Sequence, residues 1–141
     1  MSTLVPFNSF VYDMANGANA PGLHTIKLAL TNTAPDVTWT RFSQVPEIPA
    51  GNGYPAGGLP LTVTSNAQVG GFWSLFVVNA VLVASGGVIP VWRWAVVYDT
   101  SVGSLIGFSD YGIAVGLSPS ELVNFVFDQV NGLITGVATS G

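Results

Sequence analysis

Val91-Trp92-Arg93-Trp94-Ala95-Val96-Val97-Tyr98 carries the alternation of a β-strand. Successive strand side chains point to opposite sides of a sheet. Trp92, Trp94, Val96 and Tyr98 therefore share one face, and Val91, Arg93, Ala95 and Val97 the other. Two tryptophans on one strand face suit either a sugar-binding platform or a core. The strand is the most apolar in the chain, and large aromatics dominate core burial, so the reading is core.

The same period of two recurs on both sides. Ile26, Leu28 and Leu30 align within 25–31, and 61–64 alternates as well. The runs 72–78 and 81–84 are apolar and β-branched, a composition that fits strands. Further strands are expected at 105–111, at 122–127 with Val123, Phe125 and Phe127 aligned, and at 133–137. Gly, Pro, Asn and Ser punctuate them. Seven or eight short strands with such turns predict an all-β fold, an antiparallel β-sandwich or barrel-like sandwich. Phe125 and Phe127 join Trp92 and Trp94 in the expected core. One helix is expected over 7–16, because Phe7, Phe10, Val11 and Met14 follow helical spacing. That face can anchor a partner or plug one end of the core; the second is favoured, since helix faces normally pack within their domain.

Residues 1–141 make one domain by length, with 1–6 as an N-terminal arm. Hydrophobic residues are 49% of the chain and charged residues 7%, against about 25% charged in ordinary soluble domains. So few charges leave little repulsion between copies, which points to life in an assembly. Cysteine is absent, which excludes disulfides, thiol catalysis and thiolate metal sites. Lys27, Arg41 and Arg93 are the only basic residues besides one histidine, too few to neutralise nucleic-acid phosphates. The uncharged window 75–92 has the length of a membrane span. Its valines, Pro90 and the turn signal Ser85-Gly86-Gly87 divide it into strands instead, so no membrane partner is expected. The N-terminus has no signal-peptide pattern, and synthesis in the cytoplasm is expected.

Chemistry-bearing groups are sparse. His24 stands alone and reads as a solvated or hydrogen-bonded residue at a strand end. The seven carboxylates are Asp13, Asp36, Glu47, Asp99, Asp110, Glu121 and Asp128. They read as turn and strand-end groups exposed to solvent. Gly116-Leu117-Ser118-Pro119-Ser120 lacks the second glycine of a nucleophile elbow. Gly51-Asn52-Gly53-Tyr54-Pro55-Ala56-Gly57-Gly58 fails the dinucleotide spacing and precedes a strand, so it reads as a turn needing positive φ. The expectation is a non-enzyme with no cofactor, no metal and no catalytic residue. The irregular stretch 33–49 carries three prolines together with Trp39, Arg41 and Phe42. Trp and Arg are enriched at binding hot spots, and interface and loop-packing readings both stand for these residues.

Five motifs in order carry a resemblance. They are Thr25-Ile26-Lys27-Leu28-Ala29-Leu30-Thr31 with Pro35, and Glu47-Ile48-Pro49-Ala50-Gly51-Asn52-Gly53-Tyr54 with Gly57-Gly58. Arg93-Trp94-Ala95-Val96-Val97-Tyr98-Asp99, then Leu105-Ile106-Gly107-Phe108-Ser109-Asp110-Tyr111-Gly112, and Asn131-Gly132-Leu133-Ile134 complete the set. The order resembles a family of small structural proteins of tailed-bacteriophage virions. The chain departs from the pattern in 36–45, at Pro55 where threonine is usual, and in the apolar region 72–92.

The resemblance implies a virion component made in the bacterial host cytoplasm. Its expected role is capsid decoration or cement: binding the outer head shell through the major capsid protein and through copies of itself, as a trimer. The alternative is a tail or fibre component, an adhesin that binds host-surface carbohydrate through exposed aromatics such as Trp39 and Tyr54. The expected contact residues are Leu4, Val5 and Phe7 in the arm and Trp39, Arg41 and Phe42 in the Pro-rich loop. Both segments lie outside the alternating strands and carry large apolar groups.

Overall fold

A computed structural model describes residues 4–128 and 132–137. Residues 1–3 of the expected arm and Asn131 of the last motif lie outside the described residues.

The chain forms an antiparallel all-β sandwich with one short helix. The first layer is a five-stranded sheet in the order β1 (Val5–Pro6), β8 (Ser104–Leu117), β7 (Ile89–Asp99), β2 (Ile26–Thr31), β3 (Leu59–Leu61). Its edges are short, and Pro60 sits in β3, a combination that blunts edge-to-edge pairing. The second layer holds a three-stranded sheet, β10 (Ile134–Val137), β5 (Phe72–Val77) and β4 (Val63–Val69), and a two-stranded sheet, β6 (Ala80–Val83) with β9 (Leu122–Phe125). Ten strands are thus described, where seven or eight are expected from the pattern. The surplus comes from β1 and from the split of 61–64 between β3 and β4.

One ribbon links the layers. β7 and β8 pair down to Ile89 and Leu117, and the same two segments pair again as β6 and β9 from Val83 and Leu122. Between them the chain turns at 84–88 and 118–121. Ser120 N–H donates to Ala84 O (2.8 Å) and Ala84 N–H to Glu121 O (2.9 Å), which pins the corner. The uncharged window 75–92 is therefore the end of β5, all of β6 and the start of β7; no helix among the described residues is long and apolar enough to cross a membrane.

The five-stranded sheet is covered on both faces. Ile26, Leu28, Leu30, Ala95, Val97 and Ile106 face the second layer and meet Leu75, Val77, Leu82, Trp92 and Phe125. Ala29, Val96, Tyr98 and Leu105 face the other way, under Phe7, Val45, Trp39 and Phe42. The Pro-rich loop and the arm form that second cover.

An irregularity in the β7–β8 pairing alters the face assignment expected from simple alternation. Arg93 alone stands opposite residues 111–114, because Trp92 pairs with Val115 and Trp94 with Asp110. The phase changes there, as an extra-residue bulge requires. Trp92 joins Ala95 and Val97 in the main core, opposite to Val96 and Tyr98. Trp92, Phe125 and Phe127 are buried as expected, whereas Trp94 is only half-buried beside Arg93. A second irregularity, between Val97 and Tyr98, leaves Ile106 as an extra residue of β8 with no partner in β7; Leu105 and Ile106 are buried on opposite faces.

The helix α1 is shorter than expected, Phe10–Ala15, and presents a different face. It buries Phe10 and Asp13 and leaves Val11 exposed. Asp13 displaces Val11 because a carboxylate with polar partners inside can be buried.

Candidate interaction surface

The expected contact residues are used largely by the fold. Leu4 and Phe7 are buried, at 4% and 2% exposure, and Leu4 N–H donates to Leu133 O (3.0 Å). Only Val5 of that set faces solvent, in β1 against Phe108. Although the arm lies outside the alternating strands, two of its apolar side chains fill the two cores. In the loop, Trp39 and Phe42 are half-buried against the second core. Phe42 stacks on Tyr98, with centroids 3.9 Å apart and planes 4° from parallel. Arg41 is exposed along its stem, yet its Nη1 donates to Asp13 Oδ2 (3.1 Å) and to Thr40 O (2.9 Å). Gln44 Oε1 accepts from Thr40 and Arg41 N–H at 2.7 and 3.0 Å and closes a short 3-10 turn, Phe42–Gln44. Loop packing, rather than free presentation, is the structural role of these three.

The carboxylates also depart from expectation. Asp99 is fully buried and Asp13 nearly so. Asp99 Oδ2 accepts from Ala20 N–H (3.0 Å) and lies 2.6 Å from His24 Nδ1, while Oδ1 accepts from Ser101 N–H (2.9 Å). Asp13 Oδ2 accepts from Ser104 Oγ–H (2.6 Å), and Asn19 Nδ2 donates to that same Oγ (3.0 Å). The Ser104 hydroxyl is therefore engaged both as donor and as acceptor. These groups tie residues 13–24 to the β7–β8 turn, work for which buried charges need several partners. His24 is hydrogen-bonded at the start of β2, as its position suggests.

Tyr54 is another correction. It is 1% exposed, so it offers no platform to a saccharide. Its hydroxyl donates to Glu47 Oε2 (2.5 Å) and accepts from Leu30 N–H (3.0 Å). Burial, reinforced by the Glu47 carboxylate, pushes its phenol far above the usual range. Burial and the same carboxylate push Tyr98 up to about 12. Its hydroxyl donates to Gly57 O (2.6 Å) in the glycine loop, where Gly51, Gly53, Gly57 and Gly58 all have positive φ. Among the described residues no cluster of three or more His, Asp and Glu side chains is arranged to hold a metal ion.

Exposed apolar side chains occur on several elements, among them Leu23, Val69 and Phe72, and one charge-free group of them lies on the outward face of β6–β9. Leu82, Val123 and Phe125 point inward, and alternation turns Val81, Val83, Leu122 and Asn124 outward. Val81 and Leu122 are 52% and 60% exposed, and Val83 lies directly across from Leu122. Val126, just beyond β9, is exposed too. Neither strand carries a charged residue. Past the corner, Tyr111 and Ile113 lie in the bulge opposite Arg93 and are exposed. There Arg93 Nε and Nη2 donate to the two oxygens of Asp110 at 2.9 and 3.0 Å, and its guanidinium lies 5.0 Å from the Trp94 ring. The ion pair holds Asp110 below the usual carboxylate range. No expected contact residue marks the β6–β9 face; the signal that would have found it is alternation in two strands whose both faces are apolar. Comparisons with family models, with curated proteins and with solved structures give no match.

Proposed function

We propose that the chain is a non-enzymatic structural protein of a tailed-bacteriophage virion, a decoration protein that binds the outer head shell and copies of itself. The observation that carries this reading is the charge-free apolar face of β6–β9, with Val81, Val83 and Leu122 turned outward from a sheet that is already paired and packed. Contiguous exposed apolar surface marks an interaction site. The low overall charge and the motif order supply the virion context. A protein that binds only the assembled shell stabilises it by mass action, by an amount set by its free concentration relative to Kd. Tyr54 is buried and Trp39 is half-buried against the second core, which weighs against the adhesin alternative.

The test uses Val83→Lys with Leu122→Glu. These positions face each other, so opposite charges remain compatible with the sheet while the apolar contact is lost. The expected result is a folded variant that no longer occupies heads, where the wild-type chain is present in hundreds of copies per particle, on the order of the shell's subunit number. A variant that still occupies heads at full copy number, or a wild-type chain confined to the tail in a handful of copies, overturns the reading.

A further inference from the structure

The second layer ends in a free strand edge. β4 is the outermost strand of its sheet and pairs with β5 alone among the described residues. Its residues 64–69 are all exposed. We propose that β4 pairs antiparallel with β4 of a second copy of this chain, joining two three-stranded sheets across a two-fold axis. The inference holds whether or not the chain occupies a phage head. A two-fold pair also differs from the trimer that the resemblance implies.

Hydrogen-bond geometry sets which backbone groups are free. Gly70 and Gly71 form a two-residue turn, with φ of +59° and +86°, and Val69 stands across from Phe72. Such a turn closes on a pair that exchanges both of its hydrogen bonds, and bonded pairs then recur at every second residue. Ser65, Ala67 and Val69 therefore bond to β5, and the N–H and C=O groups of Asn66 and Gln68 point away from it. No other strand or loop of the described residues bonds these outward groups. The Asn66 and Gln68 side chains are engaged within their own hairpin. Asn66 Oδ1 accepts from Trp73 Nε1–H (2.7 Å), and Gln68 Oε1 accepts from Gly71 N–H (3.2 Å).

Charge and register make the partner a copy of the same strand. The edges of the first sheet carry protection: β1 has two residues, one of them Pro6, and β3 has three with Pro60 at its centre. β4 has seven residues, no proline and no charge, and its irregularity lies at the Val63–Ser65 end, which leaves 65–69 regular. Like charges set opposite each other oppose the pairing of a strand with its own copy. No charged side chain occurs between Glu47 and Arg93, so a two-fold axis through β4 brings none together. The outward groups are also self-complementary. With the axis at Ala67, Asn66 stands against Gln68 of the copy and Gln68 against its Asn66, so every outward N–H of these residues meets an outward C=O. The two Ala67 side chains then face each other in the close, non-hydrogen-bonded position, where a small residue fits.

The experiment measures the mass of the purified full chain by analytical sedimentation at concentrations up to about 1 mM, a bound that takes in weak specific association. One strand pair is smaller than a standard interface, so the expected result is a reversible, concentration-dependent dimer. Ala67→Lys sets two like charges opposite each other and is expected to weaken the dimer about tenfold or more, as is Ala67→Glu. An equimolar mixture of the two variants restores it, because opposite charges then meet. Gln68→Pro removes an outward N–H, leaves the bonds to β5 in place, and weakens the dimer as well. Ala67 is exposed, so its variants keep the test valid if Gln68→Pro fails to fold. The Val83→Lys/Leu122→Glu variant dimerises as the wild-type chain does. A wild-type chain that stays monomeric up to that concentration, an oligomer that survives Ala67→Lys undiminished, or a mixture that does not pair overturns the proposal.

Discussion

The Phe42 ring lies flat on the Tyr98 ring, 3.9 Å away between centroids. Phe42 comes from the Pro-rich loop and Tyr98 from β7, so the contact clamps the loop on the outer face of the five-stranded sheet. Prolines limit the loop's freedom in the unfolded chain and make the clamp less costly to form. Phe42→Ala removes the stack and opens the second core. Stability is expected to fall by about 3 kcal/mol, the low end for aromatic truncation because the ring is only half-buried. Urea unfolding should show a lower midpoint with an unchanged slope. An unchanged midpoint would mean that Phe42 is free for a partner.

Much of the fold was legible because alternation is local. Ile26, Leu28 and Leu30 reveal their shared face without reference to any other strand. The face of Trp92 was not legible, since it depends on residues 111–114 bulging out opposite Arg93, and no local pattern in β7 records that event. Burial of Asp99 was hidden for a similar reason: its partners Ala20 and His24 lie far away in sequence. An open groove joins residues 14–23 to 66–73, and neither piece alone records it. The arm misled because two residues between turns are too short to show a period, although Leu4 and Phe7 are both core.

Tyr54 and Tyr98 set an alkaline limit on stability. Both phenols have folded-state values raised above the ordinary 10.0. A raised value means the folded state retains protons that the unfolded state has released, so stability falls as pH rises. For Tyr98 the loss begins above pH 10 and is complete near the folded value of about 12. Tyr54 extends the loss to still higher pH. Phenolate absorbance from Tyr98 should therefore appear only near pH 12, and that from Tyr54 only together with unfolding. Reversible ionisation of Tyr54 at ordinary phenol pH in the folded protein would contradict the buried Glu47–Tyr54 geometry.

Gly58 separates two reasons for glycine in the loop at 51–58. Its φ is +99°, and a Cβ would run into the Leu28 carbonyl and the Ala29 backbone. Gly51 also has a positive φ, +131°, but a Cβ there meets nothing within 4 Å. Gly51→Ala should cost about 1 kcal/mol from backbone strain alone. Gly58→Ala should cost distinctly more, since β2 itself must shift. Thermal unfolding of the two variants side by side checks the order. Equal losses would show that the loop does not approach β2 as closely as the structure has it.

Leu4 and Val5 are neighbours with opposite fates, and that contrast decides what the arm does. Leu4 is buried against Gly107 and the main core, whereas Val5 is half-exposed in β1. Gly107 has no side chain, which leaves the space the Leu4 side chain occupies; a Cβ there would come within 2.9 Å of Leu4 Cβ. Leu4→Ala should therefore destabilise by about 2–5 kcal/mol, the range for emptying a core site. Val5→Thr keeps a β-branched residue on a solvent-facing edge and should stay within about 0.5 kcal/mol of the parent. If the arm served contacts rather than the core, the order would reverse: Leu4→Ala would leave the unfolding midpoint in place, and attachment to the particle would be lost instead. Denaturant unfolding of both variants, read beside their occupancy of heads, distinguishes the two arrangements.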